Sequence, residues 1–234
     1  MSPGESIAAH RQAQQTAKDV LRELAGQIGA HDTEASIVAR AAAALAGRGV
    51  AQTWYYDCPA LVLLGSRSCR SESGRDYRAA LEPVGQTNLV TIDLSPSYEG
   101  RWGDYARSLP IEEGRIALEP KTQEFAAGLS FLGGLHCALR EFVTPQTTFH
   151  ELALWAGQRI GVGGFVNLDF HGNVGHSIAR RREDRIYIEA GNHRPLGEVS
   201  FFTFEPHVRA EHGRWGFKQE DIFFFDSAGR LETL

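Results

Sequence analysis

The sequence is poor in the residues and runs that mark several classes of protein. It has only three cysteines in 234 residues, Cys58, Cys69 and Cys137, and their spacing contains no Cys-x-x-Cys pair. An odd number of scattered cysteines argues against a disulfide framework and against the common zinc-binding patterns. We therefore expect free thiols and a cytoplasmic protein, because thiols stay reduced in that compartment.

Long apolar runs and basic runs are also missing. No stretch approaches the roughly 18 consecutive apolar residues that indicate a membrane helix, and residues 1–6 do not begin a signal peptide. No basic patch with interleaved aromatic residues indicates nucleic-acid binding. The glycines form no Gly-x-Gly-x-x-Gly motif between a strand and a helix, so no nucleotide site is predicted. We expect neither a membrane nor a nucleic-acid partner.

The overall composition is that of an ordinary globular domain. Apolar residues make up 42% and charged residues 23% of the chain, and the formal net charge is −5. The length suits one domain better than two. We therefore predict one domain over residues 1–234, in which residues 1–14 either belong to the domain or form an N-terminal extension. The sequence leaves open whether two copies of the chain form a homodimer.

Four segments have helical signals. Val20, Leu21, Leu24 and Ile28 form an apolar stripe in the first, residues 7–28. Capping residues and apolar spacing predict three more helices. These run from residues 32–34 to Leu45, from Pro120 to about Val143, and onward from Thr148, where Glu151 completes a capping box.

Runs of β-branched and aromatic residues, separated by Gly, Asn and Pro, predict short strands. They lie at residues 52–56, 60–64, 89–92, 166–170, 186–189, 199–205 and 222–225. Residues 66–76 are small and polar, which is typical of a loop. Residues 226–234 are expected to form a terminal hairpin. Helices that flank a largely antiparallel sheet make this an α+β fold.

Two carboxylates stand out within this pattern. Asp93 ends the apolar run at residues 89–92, where a buried carboxylate needs a cation or hydrogen-bond donors beside it. Asp104 follows a turn rich in Pro, Ser and Gly, so the two acids are expected on neighbouring strands. Such a pair can bind a hard cation, although on its own it also fits two acids on an exposed hairpin.

Three further residues extend the pair to a set. His176, Glu205 and Glu220 each lie beside or within an apolar, strand-like run. With Asp93 and Asp104 they give the order Asp, Asp, His, Glu, Glu. This order resembles the pita-bread family of metallopeptidases, which includes methionine aminopeptidase, Xaa-Pro aminopeptidase, prolidase and creatinase. The resemblance implies the pita-bread fold and a dinuclear metal site with these five residues as ligands.

The resemblance also implies a reaction. Asp93 and Glu220 would span two divalent cations, Asp104 would bind one, and His176 with Glu205 would bind the other. Oxygen and imidazole ligands suit Mn, Fe, Co or Zn. A hydroxide that bridges the two cations would attack an amide carbonyl, and Glu205 would transfer the proton as general acid and base. The expected substrate is a small peptide or amide.

The sequence departs from the family around the substrate. His171 resembles a histidine near the metal of the Xaa-Pro branch, with one extra residue in the spacing, and it equally fits a solvent-facing loop residue. The family's two substrate-binding histidines are missing, since residues 66–76 contain none and Ile188 matches the second position. His193 and His207 are the candidates to replace them, and each also fits a solvated polar residue.

These departures leave three hypotheses for the function. The first is an active dinuclear hydrolase, and the second is a metal-binding member that catalyses a different hydrolytic or lyase step. The third is a catalytically silent binding module. Arginines in the two altered segments favour a substrate that bears a carboxylate, unless they are only solvated. They are Arg67, Arg70, Arg75, Arg180, Arg181 and Arg182.

Overall fold

The computed structural model describes the backbone of residues 3–234 and the side chains from Ile7 onward. All four predicted helices are present. They are α1 (Pro3–Ala25), α2 (Glu34–Gly47), α3 (Gln123–Phe142) and α4 (Phe149–Val162). Within residues 3–234, no helix combines the length and apolar content that crossing a membrane would require.

Side-chain caps explain where two helices begin. The Thr33 hydroxyl accepts a hydrogen bond from the Ser36 amide at 3.1 Å, and Ser36 Oγ accepts one from the Thr33 amide at 2.9 Å. At α4 the same exchange links Thr148 and Glu151. Each pair satisfies two backbone N–H groups that would otherwise lack a partner. The capping box at Thr148 was predicted, and this prediction is confirmed.

Twelve strands are distributed over the described residues. In chain order they are β1 (Gln52–Thr53), β2 (Leu61–Leu64), β3 (Asn88–Leu94), β4 (Pro96–Tyr98), β5 (Arg101–Trp102), β6 (Tyr105–Glu112), β7 (Arg115–Ile116), β8 (Phe165–Asn167), β9 (Phe202–Phe204), β10 (His207–Ala210), β11 (Gly216–Phe225) and β12 (Leu231–Thr233). β11 and β12 form the terminal hairpin that the sequence predicts. The mixture of helices with an antiparallel sheet confirms the α+β class.

The central strands bring distant residues onto one face of the sheet. The larger sheet has nine strands in the order β2-β3-β6-β11-β10-β8, with β7, β9 and β12 paired at its sides. Ala106 on β6 is paired with Asp93 on β3 and with Glu220 on β11. Residues directly opposite each other across paired strands share a face, as do residues two apart along a strand. Lys218 therefore projects from the same face as Glu220.

Two apolar clusters hold this sheet between the helices. The first packs α1 and α2 against β2 and β3, and its members include Val20, Leu24, Ile37, Leu45, Val62, Val90 and Ile92. The second packs α3 and α4 against the strands of the C-terminal half, and its members include Phe125, Leu132, Phe149, Phe204, Val208 and Phe217. The pairings β3–β6–β11 join the two clusters across the centre of the sheet.

Several predicted strands differ from the structure. The strands predicted at residues 52–56 and 199–205 are shortened to β1 and β9, the one at 222–225 is part of the longer β11, and Asp104, which was expected on a strand, lies one residue before β6. The prediction of a strand at residues 186–189 is wrong, because this segment forms no regular strand pairing and has only an isolated β-bridge from Tyr187 to His176. Its partner segment bends at Gly175, whose φ of +149° interrupts a regular ladder. β8 ends at Asn167 rather than at residue 170, because Asp169 Oδ1 accepts a hydrogen bond from the Phe170 amide and starts a short 3₁₀ turn.

Candidate active site

The second carboxylate of the predicted pair is held in place by helix α1. The Asp104 amide donates to Gln14 Oε1 at 2.7 Å, and Gln14 Nε2 donates to the Asp104 carbonyl oxygen at 2.8 Å. Gln14 is completely buried. On the same helix, His10 Nδ1 lies 3.2 Å from the Trp102 carbonyl oxygen. These contacts leave the Asp104 side chain free to face the site.

The imidazole of His176 offers a lone pair to the same site. Its Nδ1 lies 3.0 Å from the Ser177 carbonyl oxygen, and a carbonyl can only accept, so Nδ1 carries the hydrogen. Burial lowers the pKa of His176 to about 4, so the ring is neutral at pH 7. Nε2 then faces Asp104 Oδ2 at 3.5 Å and Glu205 Oε1 at 3.4 Å without a hydrogen between them. Facing acceptors repel one another unless a cation lies among them.

Unsatisfied oxygen atoms complete this half of the site. Among the described residues, Asp104 Oδ2 and both carboxylate oxygens of Glu220 are buried without a hydrogen-bond partner. One ligand atom from each of Asp104, His176 and Glu220 lies within 4.8 Å of the others. Burial, together with neighbouring carboxylates, raises the pKa of Asp104 and of Glu220 well above the usual range. A divalent cation fits these three residues, because it would satisfy the orphaned oxygens and separate the charges.

The other half of the site contains a lysine that the sequence analysis did not single out. Lys218 Nζ lies 2.7 Å from Asp93 Oδ2, 2.9 Å from Glu205 Oε2 and 3.5 Å from Glu220 Oε2. Burial favours the neutral amine, but Asp93 and Glu205 raise the pKa of Lys218 well above its usual range. Burial likewise acts to raise the pKa of Glu205, but Lys218 and His176 lower it to about 2. Lys218 and Glu205 are therefore a buried pair of opposite charges.

A cavity of about 390 Å³ opens above these groups. Asp93, Asp104, His176, Glu205 and Lys218 contribute charged and polar groups to its lining. Aromatic residues also line it, with an arginine among the rings. These residues are Trp54, Tyr55, Phe170, Tyr187 and Arg185. The cavity has room for a small ligand and directs it at the candidate metal ligands.

Comparison with protein families identifies the chain. Residues 8–226 match metallopeptidase family M24 over nearly the whole sequence. The chain belongs to the metallopeptidase family M24. Comparison of the M24 chain with curated protein sequences finds no match.

Solved structures show the same fold. An X-Pro aminopeptidase from Thermotoga maritima superposes with a TM-score of 0.81 at 22% identity, over 98% of this chain and 60% of that one. A prolidase from Thermococcus sibiricus gives 0.81 at 16% identity, over 98% and 58%. Methionine aminopeptidase from Rickettsia prowazekii gives 0.71 at 16% identity, over 98% and 96%. The pita-bread fold is confirmed, and the M24 chain spans about 60% of the length of the first two structures.

The fold brings all five predicted ligand residues together in one site. Their grouping differs from the one implied by the resemblance, because Asp104 lies with His176 and Glu220. Asp93 and Glu205 instead share Lys218. The role of each residue as a metal ligand stays a prediction.

The three further histidines lie in different places. His171 lines the main cavity, and its φ of +52° turns the chain there. His207 is buried on β10 with Nε2 2.7 Å from the Ser68 carbonyl oxygen, and it lines a smaller adjoining cavity of about 50 Å³. His193 is exposed beside His150, with 4.6 Å between ring centroids, and is absent from the lining of both cavities as far as the structure describes them. Catalysis by His171 and substrate binding by the other two remain predictions.

Most of the arginines considered for substrate binding already have partners within the protein. Arg67 pairs with the buried Glu34 at 2.9 Å, and Arg181 pairs with Asp184 at 2.8 Å. Arg75 donates to the Tyr56 hydroxyl at 2.9 Å, and Arg182 stacks on the same ring, 3.5 Å from its centroid. Among the residues that the structure describes, Arg185 is the arginine that lines the main cavity.

The sequence analysis did not identify four residues of the site, which are Gln14, Asp169, Arg185 and Lys218. Gln14 and Arg185 look like ordinary polar residues of a helix and a loop. Asp169 lines the cavity and accepts a hydrogen bond from Ser71 Oγ at 2.8 Å, and burial raises its pKa to about 6. Lys218 lies outside the strand predicted at residues 222–225, and only the longer β11 of the structure puts it on the same face as Glu220, two residues away.

Proposed function

We propose that this M24 chain is a metal-dependent hydrolase that cleaves the amide bond of a small, carboxylate-bearing peptide or amide. The observation that carries the proposal is the set of buried, unpartnered oxygens on Asp104 and Glu220 facing His176 Nε2 beside an open cavity. Membership of a metallopeptidase family supports the reaction class. Neutral imidazole and carboxylates are ligands for Mn, Fe, Co or Zn.

Asp104, His176 and Glu220 would hold the cation. A divalent cation bound there lowers the pKa of water and polarises a carbonyl group, which are the two requirements for amide hydrolysis at neutral pH. The protein contributes the fixed position of these groups. Asp104 is held through Gln14, and the His176 amide donates to Thr203 Oγ1 at 3.0 Å. Such outer contacts orient ligands before the cation arrives.

Glu205 is the group that would move the proton. Its Oε1 lies 3.4 Å from His176 Nε2 and accepts from Thr203 Oγ1 at 3.3 Å, while Oε2 pairs with Lys218. As a carboxylate it takes a proton from water, whose oxygen then bonds to the amide carbon. When the carbon–nitrogen bond breaks, the same proton passes from Glu205 to the leaving amine. Atoms and charges balance, and Glu205 ends as a carboxylate.

Arg185 would select the substrate. Its guanidinium carbon lies 5.0 Å from the Trp54 ring centroid and 5.3 Å from that of Tyr187. Cation–π contacts hold the guanidinium among the rings, and Nε donates to the Arg182 carbonyl oxygen at 3.0 Å, which leaves the N–H groups of the two terminal nitrogens for a carboxylate. A substrate with a carboxylate at one end and an apolar body is complementary to this part of the cavity. His171 lines the same cavity and would contact the substrate there.

A substrate panel under one metal condition tests the proposal. Methionyl peptides, Xaa-Pro dipeptides and carboxylated amides are compared with metal-loaded and chelator-treated protein. We expect turnover of carboxylated amides that a chelator abolishes. A folded, metal-loaded protein without turnover on any amide would leave the second hypothesis, a different hydrolytic or lyase step. Two bound cations, a cytoplasmic location and a homodimer remain predictions from the sequence.

A further inference from the structure

The site is divided into two halves that differ in how their charges are satisfied. Asp104 Oδ2 and both Glu220 carboxylate oxygens lack hydrogen-bond partners among the described residues. Asp93 and Glu205 do have a partner, the Lys218 ammonium, at 2.7 and 2.9 Å. The three residues that could share a cation likewise include neither Asp93 nor Glu205. The ammonium is thus in hydrogen-bond contact with Asp93 and Glu205, and it lies farther from the other half, 3.5 Å from Glu220 Oε2.

Lys218 is held in this position by its strand. Its backbone amide donates to Ser108 Oγ at 2.8 Å, and the residue is paired with His207 across β10 and β11. Strand alternation directs its side chain to the face that carries Glu220. Only 16% of the Lys218 side chain is exposed, so the ammonium has little access to water as an alternative partner.

We propose that the Lys218 ammonium takes the place of one of two metal ions, so that the chain binds a single divalent cation at Asp104, His176 and Glu220. This inference rests on the proposed function and names the cation content of that same site. A second cation at Asp93 and Glu205 would lie against the ammonium, and the two positive charges would repel each other in a buried setting.

The cation content is measured with Mn²⁺ alone. Purified protein is freed of metal with a chelator, loaded with Mn²⁺, and analysed by plasma mass spectrometry and by calorimetric titration. We expect one Mn²⁺ per chain and the EPR spectrum of an isolated ion rather than of a coupled pair. Two ions per chain at micromolar affinity would overturn the inference and leave the proposed hydrolase intact. No bound ion in a natively folded chain would overturn both.

Two variants test whether Lys218 is the cause. Lys218→Gln removes the charge and keeps a similar length, and Lys218→Met serves if the first variant does not fold. We expect a second Mn²⁺ to bind and the EPR spectrum to become that of a coupled pair. Lys121→Gln is the matched control, because Lys121 is exposed and its variant should keep one ion. One ion in folded Lys218 variants would show that something other than this ammonium excludes the second.

Discussion

The guanidinium of Arg107 on β6 donates two hydrogen bonds to the carboxylate of Asp221 on β11, of 2.9 and 2.8 Å. A further N–H of Arg107 donates to the Glu220 carbonyl oxygen at 2.6 Å. The pair therefore clamps the strand that carries Glu220 onto its neighbour. His136 approaches from α3, with Nδ1 3.6 Å from Asp221 Oδ2. The candidate metal ligand is thus supported from the opposite face of the sheet.

Breaking this clamp should destabilise the fold. Asp221→Asn removes the charge and one acceptor from a bidentate pair that is mostly buried. We expect the free energy of unfolding to fall by about 2 kcal/mol, the usual size for a hydrogen bond to a charged group. Urea denaturation measures it. The control is Asp226→Asn, whose partner Arg230 is exposed, and it should cost clearly less than Asp221→Asn. Equal losses for both variants would contradict a structural role for the clamp.

Removing the proton carrier should stop turnover. In Glu205→Gln the side chain keeps its size and an oxygen that Lys218 can donate to, but it can no longer accept a proton. We expect kcat to fall by about 10²–10⁴-fold, the usual contribution of general acid–base catalysis. Circular dichroism checks the fold, and the exposed Glu211→Gln should retain full activity. Undiminished kcat in Glu205→Gln would place the proton transfer on another group.

Helix α1 should affect metal affinity from a distance. Gln14→Ala removes both hydrogen bonds to the Asp104 backbone. We expect the dissociation constant of Mn²⁺ to rise by about 10–100-fold, as is typical when a contact that orients a ligand is lost. Titration calorimetry measures it. The neighbouring Gln15→Ala is the control, since the exposed Gln15 donates to Asp19 on the same helix and not to Asp104. Unchanged affinity in Gln14→Ala would mean that Asp104 needs no such support.

Selectivity for a carboxylate should depend on Arg185. Arg185→Met keeps an apolar side chain among the rings but removes the charge and the N–H donors. We expect kcat/KM for a carboxylated amide to fall by at least about tenfold relative to its uncharged analogue, which corresponds to about 1.4 kcal/mol. Arg180→Met tests an exposed arginine of the same segment and should change neither value. Equal losses on charged and uncharged substrates would assign Arg185 a structural role only.

The stability of the protein should decrease in mild acid. Burial lowers the pKa of His136 to about 4, although Asp221 opposes this. Between about pH 6.5 and pH 4 the unfolded chain therefore binds a proton that the folded chain does not. The stabilisation from neutral His136 is complete above about pH 6.5 and is lost as the pH falls toward 4.

Urea denaturation at pH 7 and pH 4.5 measures this loss. In His136→Gln the difference between the two pH values should be smaller, by up to about 3 kcal/mol for the full shift. It should not vanish, because burial also lowers the pKa of His176 and of His207 to about 4. The same pH dependence in the variant and in the parent chain would show that His136 does not contribute.

The local sequence was sufficient to predict the elements that carry the site. Asp93, Glu205 and Glu220 each lie within or next to an apolar run that forms a buried strand, whereas His176 makes only an isolated bridge. Their convergence could be expected only from the resemblance to a family, because strand pairing across more than one hundred residues leaves no local pattern. The role of Gln14 has no local pattern either, since its two hydrogen bonds reach Asp104, 90 positions away.

The misassigned strand at residues 186–189 has a related cause. Ile186 and Ile188 turn toward the interior, as alternating apolar residues do, and their backbone groups do pair with the segment around Gly175. A β-type pattern in the sequence reports burial on one face, and it does not report whether the partner is regular. The bend at Gly175 belongs to the partner and was not visible from residues 186–189.

The internal charge of Lys218 also bears on the order of events when the protein matures. A site made only of converging carboxylates would resist closing until metal arrived, so folding would wait for the ion. Here the chain brings its own counter-charge to Asp93 and Glu205, and the strands can pair first. Metal loading then becomes a late and separable step, and refolding in the presence of a chelator should restore the native circular dichroism spectrum. A newly made chain would not compete for scarce ions before it has folded.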